Sequence, residues 1–318
     1  MSANRSRWLG FVFFLLALAL LVWALRGVPF EDIGAVLGRL SLGQILLLVA
    51  VNVVIVALLG LRWWLILRAQ GHAIPFVATT RYRLAAFGVS YFTPGPHFGG
   101  EPLQVYFVRQ RHGVPGSSAV AAITLDKVIE MLSNFAFLSV GLALVVGGGV
   151  LGDFELPGVQ WGALALLVLP LAYLLVLGAG GRPLSRLGAR LPERWAAALA
   201  ATEQQLSDLT RQNPGLLAQV LVASAVVWGA LLFEYWLALR FLGLALSGLQ
   251  MLAVVVAARV AMLAPTPGAL GALEAGQVLA MQSMGFDPAL GLSLSLLIRA
   301  RDVLFGLVGL WLGAVARK

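Results

Sequence analysis

The chain has no cysteine, so disulfides, thiolate metal sites and cysteine nucleophiles are excluded. Charge is the next scarcity. Asp, Glu, Lys and Arg make up 11% of 318 residues, against about 25% in an ordinary soluble domain. So little charge cannot cover a surface in water, and a pair of soluble domains is excluded. Lysine occurs only at Lys127 and Lys318, and no Gly-x-x-x-x-Gly-Lys-Ser/Thr loop is present to hold ATP phosphates. The longest polar stretch, about residues 180–214, is too short for a separate catalytic domain. His72, His97 and His112 fall at loops or hairpin mouths without ligand spacing, and read as polar loop residues. The chain is therefore expected to need no metal or other cofactor, to bind no nucleic acid and not to be an enzyme.

What fills the chain instead is apolar residue: 60% of it is hydrophobic, with a mean hydropathy of +0.92. This is the composition of an integral membrane protein. Six runs are long enough to cross a bilayer as helices, near Trp8–Leu25, Gln44–Leu67, Ser117–Val146, Gly158–Leu177, Leu216–Leu239 and Ala289–Val315. The first has a long apolar core, and Trp23-Ala24-Leu25-Arg26 lacks a small-x-small cleavage pattern, so it is expected to stay as an anchor. Two further apolar segments, about Ala78–Arg111 and Ser247–Met284, are broken midway by proline and glycine.

The two breaks are related. Thr93-Pro94-Gly95 leads to Gly99, Gly100 and Glu101, and Thr266-Pro267-Gly268 leads to Gly271 and Glu274, an offset of 173 residues at both threonine and glutamate. The helices before them match at an offset of 172, where Trp64-Leu65-Ile66-Leu67-Arg68 with Gly71 parallels Trp236-Leu237-Ala238-Leu239-Arg240 with Gly243. The chain thus reads as two copies, about 43–130 and 215–302, of span, broken hairpin and span.

Charge decides whether the broken segments cross. If both return to the side they entered from, Arg5, Arg7, Arg68, Arg81, Arg83, Arg109, Arg111, Arg182, Arg186, Arg190, Arg194, Arg211, Arg317 and Lys318 fall inside. Only Arg26, Arg39, Arg240 and Arg259 then fall outside. Crossing segments would divide the basic residues almost evenly, so the positive-inside bias favours re-entrant hairpins and cytoplasmic termini in the cell membrane. The fold expected is all-α: a single domain over residues 1–318, with about six transmembrane helices and two re-entrant helical hairpins. The Gly158–Leu177 span makes copy two start from the opposite face, so the repeat is inverted. Discontinuous helices that meet near the midplane line a site reachable from either side in transporters.

Glu101 and Glu274 each begin the returning half of a hairpin, where a carboxylate meets free N–H groups and the positive end of the helix dipole. They read either as caps that make the hairpin foldable or as cation or proton sites in a cavity. The backbones at Gly99, Gly100, Gly268 and Gly271 offer N–H groups to a phosphate. On the following spans stand Asp126, Lys127 and Glu130, then Arg299, Arg301 and Asp302. Asp126 and Arg299 share the offset of 173, and Arg62 and Glu234 that of 172, each with opposite charge. Such charges either lock helices together or serve a polar substrate. In the second case Arg62, Lys127, Arg299 and Arg301 attract a phosphate, and the acids neutralise them otherwise.

Residues 181–212 are too polar to cross. Arg182, Arg186, Arg190 and Arg194 lie four apart, and Leu191, Trp195, Leu199, Leu206 and Leu209 supply an apolar side. The segment reads as a cytoplasmic amphipathic helix pair on anionic headgroups, or else as a solvated basic loop.

The run Pro94 to Glu101, the Asp126-Lys127-x-x-Glu130 group, the Pro265 to Glu274 run and the late Arg299 together resemble the flippase-like membrane region of lysylphosphatidylglycerol synthases. The likeness spans about residues 8–315. Copy one departs from it at Lys127, where arginine is usual, and at the Pro96-His97-Phe98 tip. What the resemblance implies is lipid translocation between leaflets, in a chain without the family's soluble aminoacyl-transfer domain. The substrate is then a phospholipid, a polyprenyl-linked sugar or another amphiphile. Membrane lipids are the partners so implied. An ion-coupled carrier of a small solute, and a non-catalytic membrane subunit of a lipid-modifying synthase, are the alternatives.

Overall fold

A computed structural model describes residues 40–93, 99–150, 158–187, 192–264 and 267–316. The expected span Trp8–Leu25 and most of the first hairpin's tip lie outside these residues. Every regular element among them is helical: α1 (Leu42–Ala69), α2 (Phe76–Phe92), α3 (Glu101–His112), α4 (Gly116–Gly147), α5 (Val159–Gly178), α6 (Pro183–Leu187), α7 (Glu193–Gln212), α8 (Pro214–Phe241), α9 (Gly248–Ala261), α10 (Ala272–Ser283) and α11 (Pro288–Val315). Each span expected within the described residues is one helix, and each broken segment is a helix pair, α2 with α3 and α9 with α10.

Local chemistry sets the ends. Ser41 caps α1: its hydroxyl accepts from the Gln44 N–H at 3.3 Å while the Gln44 side chain accepts from the Ser41 N–H at 2.9 Å. Ser247 and Gln250 start α9 in the same way. Gly113 closes α3 in the left-handed region, φ 66°, which glycine enters without a Cβ penalty.

Helices α1, α4 and, over Gly215–Phe241, α8 are long and apolar enough to cross a membrane. Helix α11 is equally long, 28 residues, but carries Arg299, Arg301 and Asp302 in its middle. Helix α5 exposes Trp161, Leu169 and Leu175. Large apolar side chains left exposed in such number are costly in water and ordinary against lipid. The last turns of α1 and α8 carry the same pair, Arg68 over Trp64 at 5.0 Å and Arg240 over Trp236 at 5.6 Å. Arginine stacked on tryptophan suits a membrane–water boundary.

Helix α1 packs on α8, α2 on α11 and α4 on α9. Asn52 Nδ2 donates to Glu234 at 2.8 Å, and Arg62 Nη1 donates to Ser224 at 3.3 Å. Moving up α1 from Asn52 to Arg62 moves the partner back along α8 from Glu234 to Ser224, so the two helices are antiparallel. Glycine sets the other contacts. A Cβ on Gly309 of α11 would lie 2.1 Å from the Leu84 carbonyl oxygen of α2, and one on Gly88 would lie 2.5 Å from that of Gly306. Only glycine lets these backbones touch. In the α4–α9 contact a Cβ on Gly141 would lie 2.7 Å from Val256.

Helix α7 differs in part from an interfacial helix. Leu206 and Leu209 are buried inside the protein, because Ser207 Oγ donates to the Leu177 carbonyl at 3.0 Å and Gln205 donates to Ser117 Oγ at 3.1 Å. Glu203 is buried as well, and accepts from the Leu184 and Ser185 N–H groups at 2.9 and 2.7 Å. Arg182, Arg186 and Arg194 are exposed. Arg190 and Leu191 lie outside the described residues, as does the side chain of Trp195.

Candidate functional site

The first hairpin is closed at its tip by backbone bonds. The Gly100 N–H donates to Ser90 Oγ at 2.9 Å, and the Gly99 N–H donates to Glu101 Oε2 at 2.7 Å. A Cβ on Gly100 would lie 2.0 Å from the Ala86 carbonyl oxygen, so only glycine brings α3 this close to α2. Glu101 does more than cap. Its other oxygen meets Lys127 Nζ at 3.2 Å, and Lys127 also reaches Glu130 at 3.3 Å.

Lys127 is the outer member of a larger network. Arg62 Nε donates to Asp126 at 2.6 Å and its Nη2 to Glu130 at 3.1 Å. Arg83 Nη2 reaches Glu130 at 2.8 Å, and its other terminal nitrogen bonds Asp126 directly. Three cations thus face Asp126, Glu130 and Glu101. The balance is what burial demands, since an unpaired charge in apolar surroundings costs several kcal/mol. Arg62 and Asp126 are sealed, each 2% exposed, whereas the Glu130 side chain is 37% exposed. The network therefore runs from the packed α1–α4 contact out to an exposed edge at the hairpin.

The second hairpin repeats the double duty with a different cation. The Gly271 N–H donates to Glu274 Oε2 at 2.9 Å. Arg299 forms a fork on Glu274, with Nη2 at 2.7 Å from Oε2 and Nε on Oε1, and also donates to the Gly268 and Ala269 carbonyls at 3.1 and 3.4 Å. The two hairpins meet here, where a Cβ on Gly268 would lie 2.9 Å from the Tyr91 ring of α2. A separate group lies further along α11. Arg301 bonds Glu234 at 2.5 Å and Asp302 at 2.8 Å.

These distances correct several expectations. Arg299 pairs with Glu274 as Lys127 pairs with Glu101, whereas the offset of 173 sets Arg299 beside Asp126. Arg83, expected among the inside loop charges, is locked in the Asp126–Glu130 network. Arg259, expected on the outer face, stacks on Trp228 halfway along α8, at 4.8 Å, with its Nε buried and without a hydrogen-bond partner among the described residues. The N–H groups of Gly99, Gly100 and Gly271 are taken up by capping bonds. Arg62, Lys127, Arg299 and Arg301 are all paired with carboxylates. A cavity of about 330 Å³ lies between α1, α8 and α11, with Glu234 and Arg301 among its lining, and not between the hairpins. Sequence reasoning also missed Asn52, Ser224 and Tyr91. Asn52 and Ser224 carried a signal, since they stand 172 apart, the offset of the tryptophan motif.

Long apolar helices, two glycine-tipped helix pairs and buried ion-pair groups define a polytopic helical membrane protein. Residues 7–309 match the family model of the lysylphosphatidylglycerol synthase TM region. The chain belongs to that family. It is 24% identical over 304 aligned positions to a UPF0104 membrane protein of Pyrococcus horikoshii, with 89% of each chain covered. It is 33% identical over 93 residues to a UPF0104 membrane protein of Methanothermobacter thermautotrophicus, covering 29% of this chain and 26% of that one.

Proposed function

We propose that the protein moves a phospholipid or another amphiphilic lipid between leaflets, its head passing between two hairpins that dip into the membrane from opposite faces. The observation that carries this reading is the double duty of the hairpin glutamates. Glu101 and Glu274 each hold their own hairpin's backbone and a cation of the next long helix, Lys127 or Arg299. An anionic head that takes the cation replaces one carboxylate by another anion. The released glutamate keeps its hairpin N–H bond, which lowers the cost of its unpaired charge without cancelling it.

Three further features support the reading. Asn52 and Ser224 hold equivalent places, as do Arg62 and Glu234, and each residue bonds the other's counterpart, the reciprocity of a two-fold axis. The antiparallel run of α1 and α8 is what two copies in opposite orientations require. Gly141 and Gly313, also 172 apart, sit in the matching α4–α9 and α2–α11 contacts. In this arrangement both termini face the cytoplasm in the cell membrane, and the exposed arginines at the start of residues 181–212 meet anionic headgroups. The activity is transport and not chemical conversion, driven downhill or by an ion gradient.

Reconstitution tests it. Liposomes with a panel of fluorescent headgroups are expected to show protein-dependent exposure of inner-leaflet lipid, slowed about tenfold or more by Glu274→Gln as the fork to Arg299 is lost. Failure to move any lipid of a broad panel, with uptake of a water-soluble solute instead, overturns the reading.

A further inference from the structure

The cavity between α1, α8 and α11 has the makings of a second site. Its volume, about 330 Å³, falls at the small end of the range for ligand pockets, about 300–1,000 Å³. Most of its wall is apolar, Leu48 and Val49 from α1 facing Leu297 and Leu304 from α11. Two polar atoms in its lining residues find no hydrogen-bond partner among the described residues, the buried Glu234 Oε2 and the Tyr235 hydroxyl. Glu234 is only 6% exposed and Tyr235 only 2%. The other Glu234 oxygen is used twice, by Asn52 and by Arg301. Buried polar groups normally find a partner, so these two ask for one.

Charge narrows the choice. Arg301 is shared between Glu234 and Asp302, so this ion-paired set holds two carboxylates against one guanidinium. Arg259 of α9 lies over the Trp228 ring and within electrostatic reach of Tyr235 and Glu234, so the wider group is near balance and the choice rests on the unused Glu234 Oε2 lone pair. A phosphate brought to Glu234 Oε2 would meet a carboxylate lone pair, whereas an O–H or N–H would satisfy it. We infer that this cavity binds a single-chain amphiphile whose head donates hydrogen bonds and bears no negative charge, a primary alcohol or an alkylammonium. The chain lies on the leucine wall and the head on Glu234 and Tyr235. The site shares no residue with the hairpin tips, so it stands or falls independently of lipid translocation.

Photolabelling of the full-length protein tests it, with dodecanol, dodecylamine and dodecyl phosphate that each carry a diazirine on the chain. The alcohol and amine are expected to label α1, α8 or α11 about tenfold more than the phosphate, since like charge at the head discriminates against it. Val49→Trp fills the cavity without touching an ion pair and is expected to cut that labelling about fivefold or more. Glu234→Gln is expected to lower amine labelling by a similar factor. Should Glu234→Gln fail to fold, Val49→Trp still decides. Equal labelling by dodecyl phosphate, or labelling that survives Val49→Trp, overturns the inference. So does a photo-cross-linker at Val49 that captures only residues 1–39 of the same chain.

Discussion

Replacing Arg62 by methionine tests whether the first ion-pair network stands by charge balance. The guanidinium binds Asp126 at 2.6 Å, Glu130 at 3.1 Å and Ser224 at 3.3 Å. Methionine keeps much of the volume and removes all three bonds. Breaking a buried pair from one side costs about 3–5 kcal/mol, because the partner charge is left behind. Arg83 still holds both carboxylates, so the low end applies, about 3 kcal/mol, or roughly a hundredfold in the folding equilibrium. At roughly 2 °C per kcal/mol for a chain this long, the melting midpoint in detergent is expected to fall by about 6 °C. The second variant carries the argument. Arg62→Met with Asp126→Leu leaves Arg83 and Lys127 against Glu130 and Glu101, a balanced set, and is expected to recover at least about half of the loss, a coupling of the size contacting residues show. A midpoint unmoved by the single change, or a double variant as unstable as the sum of both single ones, would refute charge balance as the reason.

Two other consequences are open to measurement. Cysteines at Ala69 and Ala245, each exposed near the far end of α1 or α8, should react with a membrane-impermeant maleimide from opposite sides of sealed vesicles; reaction from one side only removes the inverted repeat. The absence of native cysteine makes that background clean. Gly309→Leu places a side chain where even a Cβ would lie 2.1 Å from the Leu84 carbonyl, whereas Gly162 has open space around it. The first is expected to abolish the monodisperse peak in size-exclusion chromatography and Gly162→Leu to leave it unchanged, since backbone contacts cannot give way as side chains do.

Much of this architecture is legible in the sequence, for a physical reason. A helix in lipid must satisfy its own backbone, so apolar length alone marks it, and α1, α4, α5, α8 and α11 end within about three residues of the expected runs. The broken segments are legible because proline and glycine interrupt helices wherever they occur. Partnerships are less so. Arg83 stands two residues from Arg81 on the short α2, and composition does not say which of the two turns inward. Its place follows from the backbone contact of α2 with α11 and from Asp126 on α4, both far away in sequence. Arg259 was misplaced by the same gap, since its partner Trp228 lies on the preceding span. Asn52 and Ser224 were readable in principle, as lone polar residues at the repeat offset.

The corrected register changes what the charges mean. In the proposed repeat, with the helices aligned at 172, Lys127 matches Arg299 and Glu130 matches Asp302, so the two copies would agree in sign where α4 and α11 face the hairpins. They differ deeper in, where Arg62 stands against Glu234. A carboxylate-rich α4 needs a cation from α1, and it recruits Arg62 and Arg83. On α11 the extra charge is Arg301, and α8 answers with Glu234. Each copy therefore solves burial with its own neighbours, and the sign at position 62 or 234 follows from what the next helix presents. That locates the difference between the copies. The hairpin pairs, Glu101–Lys127 and Glu274–Arg299, keep one chemistry in both, a carboxylate at the hairpin against a cation of the next long helix. Their strengths are unequal: Arg299 ties its hairpin through a two-point fork and two carbonyls, whereas Lys127 meets Glu101 as a point charge and divides itself with Glu130. The Lys127 pair is also the one that adjoins Glu130, whose side chain is 37% exposed.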